Sequence, residues 1–127
     1  IKNKKYLNRI NIHKNLDRNA FLKLLNNTSI IVGNSSCGII EAPSFKIPTI
    51  NIGSRQNDRP RAKSIIDTDY NKKNIISSIK FAFHNKKFKQ QLIKTKNVFY
   101  KKNSGYLICK VLNKILSKKI NFKIEKY

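Results

Sequence analysis

Hydrophobic residues along the chain form short continuous runs that alternate with longer stretches of helical spacing. The runs Ile30–Gly33 and Thr49–Ile52 are apolar and β-branched, and a glycine stops each one. Such runs predict buried strands. Asn8–Ile12 alternates polar and apolar residues, which predicts a third strand, and Ser64–Ile66 predicts a brief fourth.

The stretches between these runs predict helices. Asp17 is a typical N-cap residue before an apolar stripe, and Pro43 lies in a short second helix. The predicted helices cover residues 18–27, 39–45, 72–85, 88–94 and 106–118. Strands that alternate with helices and lack a polar face are typical of an α/β fold. We therefore predict one Rossmann-like domain with a parallel sheet flanked by helices.

The chain has 127 residues and a formal net charge of +22. This charge would suit nucleic acid or an anionic membrane surface. However, Lys, Asn and Ile are over-used throughout, as AT-rich codons would produce, and aromatic residues are not interleaved with the basic runs. We favour compositional bias, and we expect a solvated, lysine-rich surface after Lys72, where Glu125 is the only acid.

Several classes of protein are disfavoured by what the sequence lacks. It has no apolar run of membrane-spanning length and no signal-peptide pattern in residues 1–19. Cys37 and Cys109 have no metal-ligand spacing and favour a reducing compartment, with Cys109 expected in the core. We expect a cytoplasmic protein without a metal, a cofactor or a membrane partner. The chain begins with Ile1 rather than Met, which suggests a fragment.

The segment "NSSCG" links a predicted strand to a predicted helix at the carboxyl edge of the sheet, where such folds bind ligands. Ser35 and Ser36 offer hydroxyl groups, and the amides of Ser36, Cys37 and Gly38 would open the helix towards an anion. Gly38 would let a phosphate approach the backbone. The same residues would also serve as an ordinary helix cap, so both interpretations stay open.

Two charged residues extend this candidate site. Glu41 follows one turn into the helix, where a carboxylate suits sugar hydroxyls better than phosphate. Arg55 follows the next strand and could neutralise a diphosphate. The alternatives are a solvated helix glutamate and an ordinary surface arginine.

The longer stretch "VGNSSCGIIEAPSFKIPTINIGSRQNDRPRA" resembles the UDP-N-acetylglucosamine 2-epimerases, specifically their hydrolysing branch. The resemblance is dense over residues 21–62 and fades after Asp67. It implies that residues 1–127 form the C-terminal, nucleotide-binding half of a two-domain GT-B fold. The N-terminal half would be absent from this chain.

The resemblance also implies roles for individual residues. Ser35 and Ser36 match residues that hold the UDP phosphates, with Cys37 and Gly38 in the same loop. Glu41 matches a carboxylate that binds the ribose, Arg55 matches an arginine of the nucleotide site, and Leu16 matches a backbone contact to uracil. The catalytic residues are unknown and expected in the missing half. The implied partners are a UDP-sugar, the N-terminal half and, in the full-length enzyme, a second copy.

The chain departs from the family pattern at three places. Lys46 stands where the family commonly has glycine, which predicts either a positive φ at Lys46 or a local rearrangement of the loop that avoids it. Ser54 replaces a frequent aspartate, and "KKNSG" at residues 101–105 replaces a glycine-rich turn. The last departure weakens any ligand contact before the final helix.

The implied reaction eliminates UDP to give a glycal with a C1–C2 double bond, and water then adds to release the C2-inverted sugar. Such a reaction needs a base for the C2 proton and charge stabilisation for UDP. Other functions remain open: a non-hydrolysing 2-epimerase, a GT-B glycosyltransferase, or a basic module that binds nucleic acid or a membrane surface.

Overall fold

The computed structural model describes residues 9–117, and its centre is a parallel sheet of three strands. The strands are β1 (Ile31–Gly33), β2 (Thr49–Ile52) and β3 (Ile65–Thr68), in the order β1-β2-β3. Gly33, Asn51 and Asp67 lie opposite one another across the sheet. The predicted parallel α/β fold is confirmed.

The described part of the chain also contains five α-helices and the 3-10 turn Ala42–Phe45. The helices are α1 (Arg18–Asn26), α2 (Ser36–Ile40), α3 (Lys72–His84), α4 (Lys86–Ile93) and α5 (Ser104–Ser117). The helix predicted over residues 39–45 is thus two elements. Pro43 explains the change, because it cannot donate the hydrogen bond that would continue α2 and its ring crowds the preceding turn.

The core lies on both faces of β2. On one face Leu25, Ala42 and Ile47 form a buried cluster under α1 and the 3-10 turn. On the other face Ile50 packs with Ala82 of α3 and Phe88 of α4. Consecutive strand residues point to opposite faces, so a strand covered on both sides buries successive residues rather than alternate ones.

Lys46 adopts a left-handed backbone, the first of the two predicted alternatives. Its φ is 56° and its ψ is 35°, and it ends the 3-10 turn. The amide of Lys46 donates to the Pro43 carbonyl at 3.2 Å, and the amide of Ile47 donates to the Ala42 carbonyl at 3.2 Å. A left-handed residue after a helical turn commonly makes such closing bonds.

The predicted Asn8–Ile12 strand needs correction. Residues 9–12 are not a strand, and Asn8 lies outside the described residues. Ile10 and Ile12 are 43% and 78% exposed, so their alternation does not reflect a buried face. Alternation predicts a strand only where a partner strand and a core are available.

The final helix forms as predicted, but its apolar side is exposed. None of the residues of α5 is buried within the described part of the chain. Cys109 is therefore exposed, and its predicted place in the core is wrong. The helical spacing of apolar residues predicted an apolar face, but it does not specify which surface covers that face. No helix among the described residues has the length and apolar character needed to cross a membrane.

Candidate functional site

The loops that follow β1 and β2 meet at the carboxyl edge of the sheet. The Gln56 side chain donates from Nε2 to the backbone oxygen of Asn34 at 2.8 Å. Asn34 directly precedes Ser35, and Gln56 directly follows Arg55. This single bond therefore links the two loops that the sequence predicted to share a site.

The loop after β1 is held in the form of a helix cap. Ser35 is the N-cap of α2, and its Oγ accepts from the Cys37 amide at 3.4 Å. The Gly38 amide donates to the Ser35 carbonyl at 3.2 Å. Two of the three amides predicted to face an anion thus already have acceptors. The Ser35 hydroxyl accepts in this cap, which leaves its own proton available for donation.

Packing gives a structural reason for glycine at position 38, beside the ligand role that the sequence suggested. Gly38 is buried, and a Cβ at this position would lie 2.6 Å from Cγ2 of Thr49 on β2. The Thr49 hydroxyl donates to the Gly38 carbonyl at 3.0 Å. Glycine therefore allows α2 to approach the sheet closely. The approach of a phosphate is not needed to explain it.

Glu41 lies just beyond α2 and is paired with a cation. Arg18 at the start of α1 reaches Glu41 Oε1 at 2.5 Å, and the Glu41 side chain is only 26% exposed. The guanidinium also lies 5.8 Å from the centre of the Phe21 ring. Leu16 is partly buried two residues before Arg18. The Arg18–Glu41 pair thus connects the segment after Leu16 to the end of α2.

Arg18 and Glu41 line a cavity of about 320 Å³ between α1, the 3-10 turn and the loop before α5. Further lining residues include Leu22, Ser44, Phe99 and Tyr100. Burial, and then the Glu41 charge, raise the pKa of the Cys37 thiol, against smaller opposing effects of Ser35 and Arg18. The Cys37 thiol is therefore held in its neutral form, which disfavours a nucleophilic role.

Arg55 is exposed, and its side chain takes part in no hydrogen bond or ion pair within residues 9–117. It belongs to the loop between β2 and β3, which we call the Arg55 loop (residues 53–61). In the described chain no group of three or more His, Cys, Asp or Glu side chains could hold a metal ion.

A polar network beneath the Arg55 loop was missed by the sequence analysis. Asn51 on β2 donates from Nδ2 to Asp67 Oδ1 at 2.6 Å. Arg61 donates from Nε to Asp67 Oδ2 at 3.0 Å, and from Nη1 to the Gln56 carbonyl at 2.8 Å. The signal in the sequence was Asn51 itself, an amide side chain within a predicted buried strand. Asn51 is 1% exposed.

Asp67 is held ionised by this network. Burial alone would raise the pKa of its carboxyl group, but the hydrogen bonds from Arg61 and Asn51 and the Arg61 charge outweigh burial. The pKa therefore lies below its ordinary value. Asp67 should keep its negative charge throughout the neutral range.

These features define a Rossmann-like α/β domain whose polar side chains gather where parallel strands end, the usual ligand edge of such sheets. Residues 1–113 match the family model described as UDP-N-acetylglucosamine 2-epimerase. The chain belongs to this family.

Relatives of known name agree with the family. A UDP-N-acetylglucosamine 2-epimerase of Neisseria meningitidis serogroup B is 52% identical over 62 residues, covering 49% of this chain and 16% of the relative. A UDP-N,N'-diacetylbacillosamine 2-epimerase (hydrolyzing) of Legionella pneumophila is 41% identical over 80 residues, covering 63% and 21%. The matched segment thus spans about a fifth or less of these relatives' length.

A third relative, the polysialic acid biosynthesis protein P7 of Escherichia coli, is 37% identical over 84 residues. That match covers 66% of this chain and 21% of the relative. The recognition of the family from "VGNSSCGIIEAPSFKIPTINIGSRQNDRPRA" is thereby confirmed. The roles of the individual site residues stay predictions.

Proposed function

We propose that this chain is the nucleotide-binding part of a hydrolysing UDP-N-acetylglucosamine 2-epimerase. The enzyme would convert UDP-N-acetylglucosamine, or a derivative of it, to an N-acetylmannosamine-type sugar and UDP. Family membership supports the 2-epimerase reaction, and the Legionella relative is named as a hydrolyzing 2-epimerase. The name of the Escherichia relative favours a place in sialic-acid-like or surface polysaccharide biosynthesis.

The observation that carries the proposal is the contact between the two loops at the carboxyl edge. The Gln56–Asn34 bond holds the Ser35 turn beside the Arg55 loop. Hydroxyl and amide donors on one side and a guanidinium on the other form a suitable cradle for a diphosphate. In this proposal the Ser35 and Ser36 hydroxyls and the Ser36 amide bind the diphosphate, Cys37 and Gly38 shape the same loop, and Arg55 neutralises the charge.

The ribose would bind at Glu41, and uracil near the backbone of Leu16. Arg18 engages Oε1 of Glu41, so Oε2 is the oxygen we assign to the ribose hydroxyls. The ion pair would keep the carboxylate charged and fixed in orientation, which favours a good acceptor geometry. Arg18 would thereby connect the segment near Leu16, proposed to contact uracil, to Glu41, proposed to bind the ribose.

The chemical steps would need residues outside this chain. We place the base that removes the C2 proton in the N-terminal half of the full-length enzyme. Charge stabilisation of the departing UDP would come from Arg55 and the phosphate donors. We further propose that the full-length enzyme works in the cytoplasm as a homo-oligomer, and that 1–127 is its C-terminal domain.

Titration calorimetry with UDP and with pyrophosphate tests the binding roles. A lost hydrogen bond to a charged group weakens binding about tenfold to over a hundredfold. Ser36→Ala should therefore weaken both ligands by that factor. Glu41→Ala should weaken UDP and spare pyrophosphate, because its partner is the ribose.

Ser77→Ala is the matched control, since Ser77 is an exposed residue of α3 away from both loops. Its affinities should equal those of the wild type. Equal affinities across the wild type, Ser36→Ala and Glu41→Ala, with intact helix content by circular dichroism, would mean that the loop is only a helix cap. In the full-length enzyme, free sugar plus UDP as products would separate hydrolysis from release of an epimerised UDP-sugar.

A further inference from the structure

Arg55 has no partner of its own in the described structure, yet the loop that carries it is anchored at several points. Gln56 is 3% exposed, and its amide reaches the Asn34 carbonyl. Arg61 reaches back to the carbonyls of Gln56 and Arg59 at 2.8 Å and 2.7 Å. The Arg61 guanidinium therefore bridges two backbone positions of the Arg55 loop, and one of them, Gln56, directly follows Arg55.

That guanidinium is in turn fixed by one carboxylate. Asp67 accepts from Arg61 Nε with both oxygens, at 3.2 Å and 3.0 Å. The Asn51 amide donates to the same carboxylate from β2. Asn51 and Asp67 lie opposite each other on β2 and β3, so the position of the carboxylate is fixed by both strands.

We propose that Asp67 is a positioning residue of the nucleotide site, which fixes the Arg55 loop to the carboxyl edge through Arg61 and Asn51. This proposal rests on the function proposed above. Asp67 itself does not touch the nucleotide in this scheme. It acts by limiting the conformations of the loop, so that Arg55 is already in place when the diphosphate arrives.

The orientation of the two buried side-chain amides, of Asn51 and Gln56, indicates that they hold neighbouring groups in fixed positions. Asn51 Nδ2 and Gln56 Nε2 each donate to an oxygen, which fixes which end of each side chain is the donor. Asn51 Oδ1 and Gln56 Oε1 are then buried without a donor in the described chain. Apolar side chains would fill the same space without the free-energy cost of unpaired buried oxygens. Only polar side chains, however, can donate hydrogen bonds to Asp67 and to the Asn34 carbonyl.

Hydrogen exchange followed by mass spectrometry tests the positioning directly in the 127-residue chain. In Asp67→Asn, peptides covering residues 54–61 should exchange about threefold to tenfold faster, because the charge-assisted bonds to Arg61 are lost. Asp67 is half exposed, which places the expected effect at the lower end of that range. Arg61→Gln removes the other partner of the same ion pair, so it should speed exchange of residues 54–61 by a similar factor.

Asp69→Asn is the matched control. Asp69 is also exposed and follows β3 closely, but it accepts from the Asn71 amide and the Asn74 side chain at the start of α3. This control should raise exchange near residues 71–75 and leave 54–61 unchanged. Unchanged exchange of 54–61 in both Asp67→Asn and Arg61→Gln would overturn the proposal.

A double-mutant cycle on UDP affinity separates positioning from a general loss of stability. Arg55→Ala should weaken UDP binding about tenfold, and Asp67→Asn about threefold to tenfold. If Asp67 acts through Arg55, adding Asp67→Asn to Arg55→Ala should have little further effect. Equal fold-changes in both backgrounds would contradict the proposal. If the wild type does not bind UDP, the proposed function fails, and the exchange data still decide whether Asp67 holds the loop.

Discussion

Replacing Lys46 by glycine changes the residue at a backbone position that favours glycine. Lys46 has a φ of 56° at the end of the 3-10 turn. In this conformation the Cβ of an L-residue crowds the neighbouring carbonyl, whereas glycine has no Cβ to crowd. Lys46 is exposed, and its side chain takes part in no hydrogen bond or ion pair among the described residues. The substitution therefore removes strain without removing a side-chain contact.

The expected gain in stability is the difference between two effects. Release of left-handed strain contributes about 1–2 kcal/mol to the free energy of unfolding. The greater freedom of glycine in the unfolded chain offsets about 0.4–1 kcal/mol of this. Lys46→Gly should therefore stabilise the chain by about 0.5–1 kcal/mol, which corresponds to a rise of about 2–6 °C in Tm.

Urea unfolding followed by circular dichroism measures this difference, with two controls. Lys46→Ala removes the same side chain but keeps the Cβ, so its stability should remain close to that of the wild type. Lys96→Gly introduces glycine at an exposed loop position without a positive φ, so it should destabilise the chain. The reasoning is refuted if Lys46→Gly is no more stable than Lys46→Ala.

Two further glycine positions give predictions that the same unfolding assay can check. Gly38→Ala should destabilise by about 1–3 kcal/mol through overpacking against Thr49 Cγ2. Part of that loss should be recovered with Thr49→Ser, which removes the methyl group and keeps the hydroxyl, and no recovery would contradict the packing argument. Gly53→Ala should cost about 1–2 kcal/mol, because φ is 74°. The new Cβ would also meet the end of the Tyr70 ring, but Tyr70 is exposed and can move aside, so the cost should be nearly the same in a Tyr70→Ala background. A cost that disappears in that background would contradict the backbone argument.

The features predicted correctly from the sequence are those set by neighbouring residues. The bounds of β2 agree fully with the prediction, and β1 differs by one residue at its start. Asp17 caps α1 as expected, with its carboxylate accepting from the amides of Asn19 and Ala20. In each case a short run of side chains determines the local backbone, so the pattern alone is sufficient.

The features that were missed depend on contacts between distant parts of the chain. Gln56 and Asn34 are 22 residues apart, and Asn51 and Asp67 are 16 residues apart. No local pattern selects such a partner, because it depends on strand order and register. The same limit explains why the close packing of Gly38 against Thr49 was not predicted.

The buried polar residues of the candidate site lower the free energy of unfolding, whereas the apolar core residues raise it. Buried hydrogen-bonding groups without a partner cost about 1–3 kcal/mol each, and Asn51 and Gln56 each bury one such oxygen in the described chain. Ile50, beside Asn51 on the same strand, is fully buried against α3 and α4 at no such cost. Stability alone would therefore favour apolar residues at these two positions. Their amides instead fix two loops at the strand ends, where the proposed nucleotide site lies, and this placement agrees with that proposal.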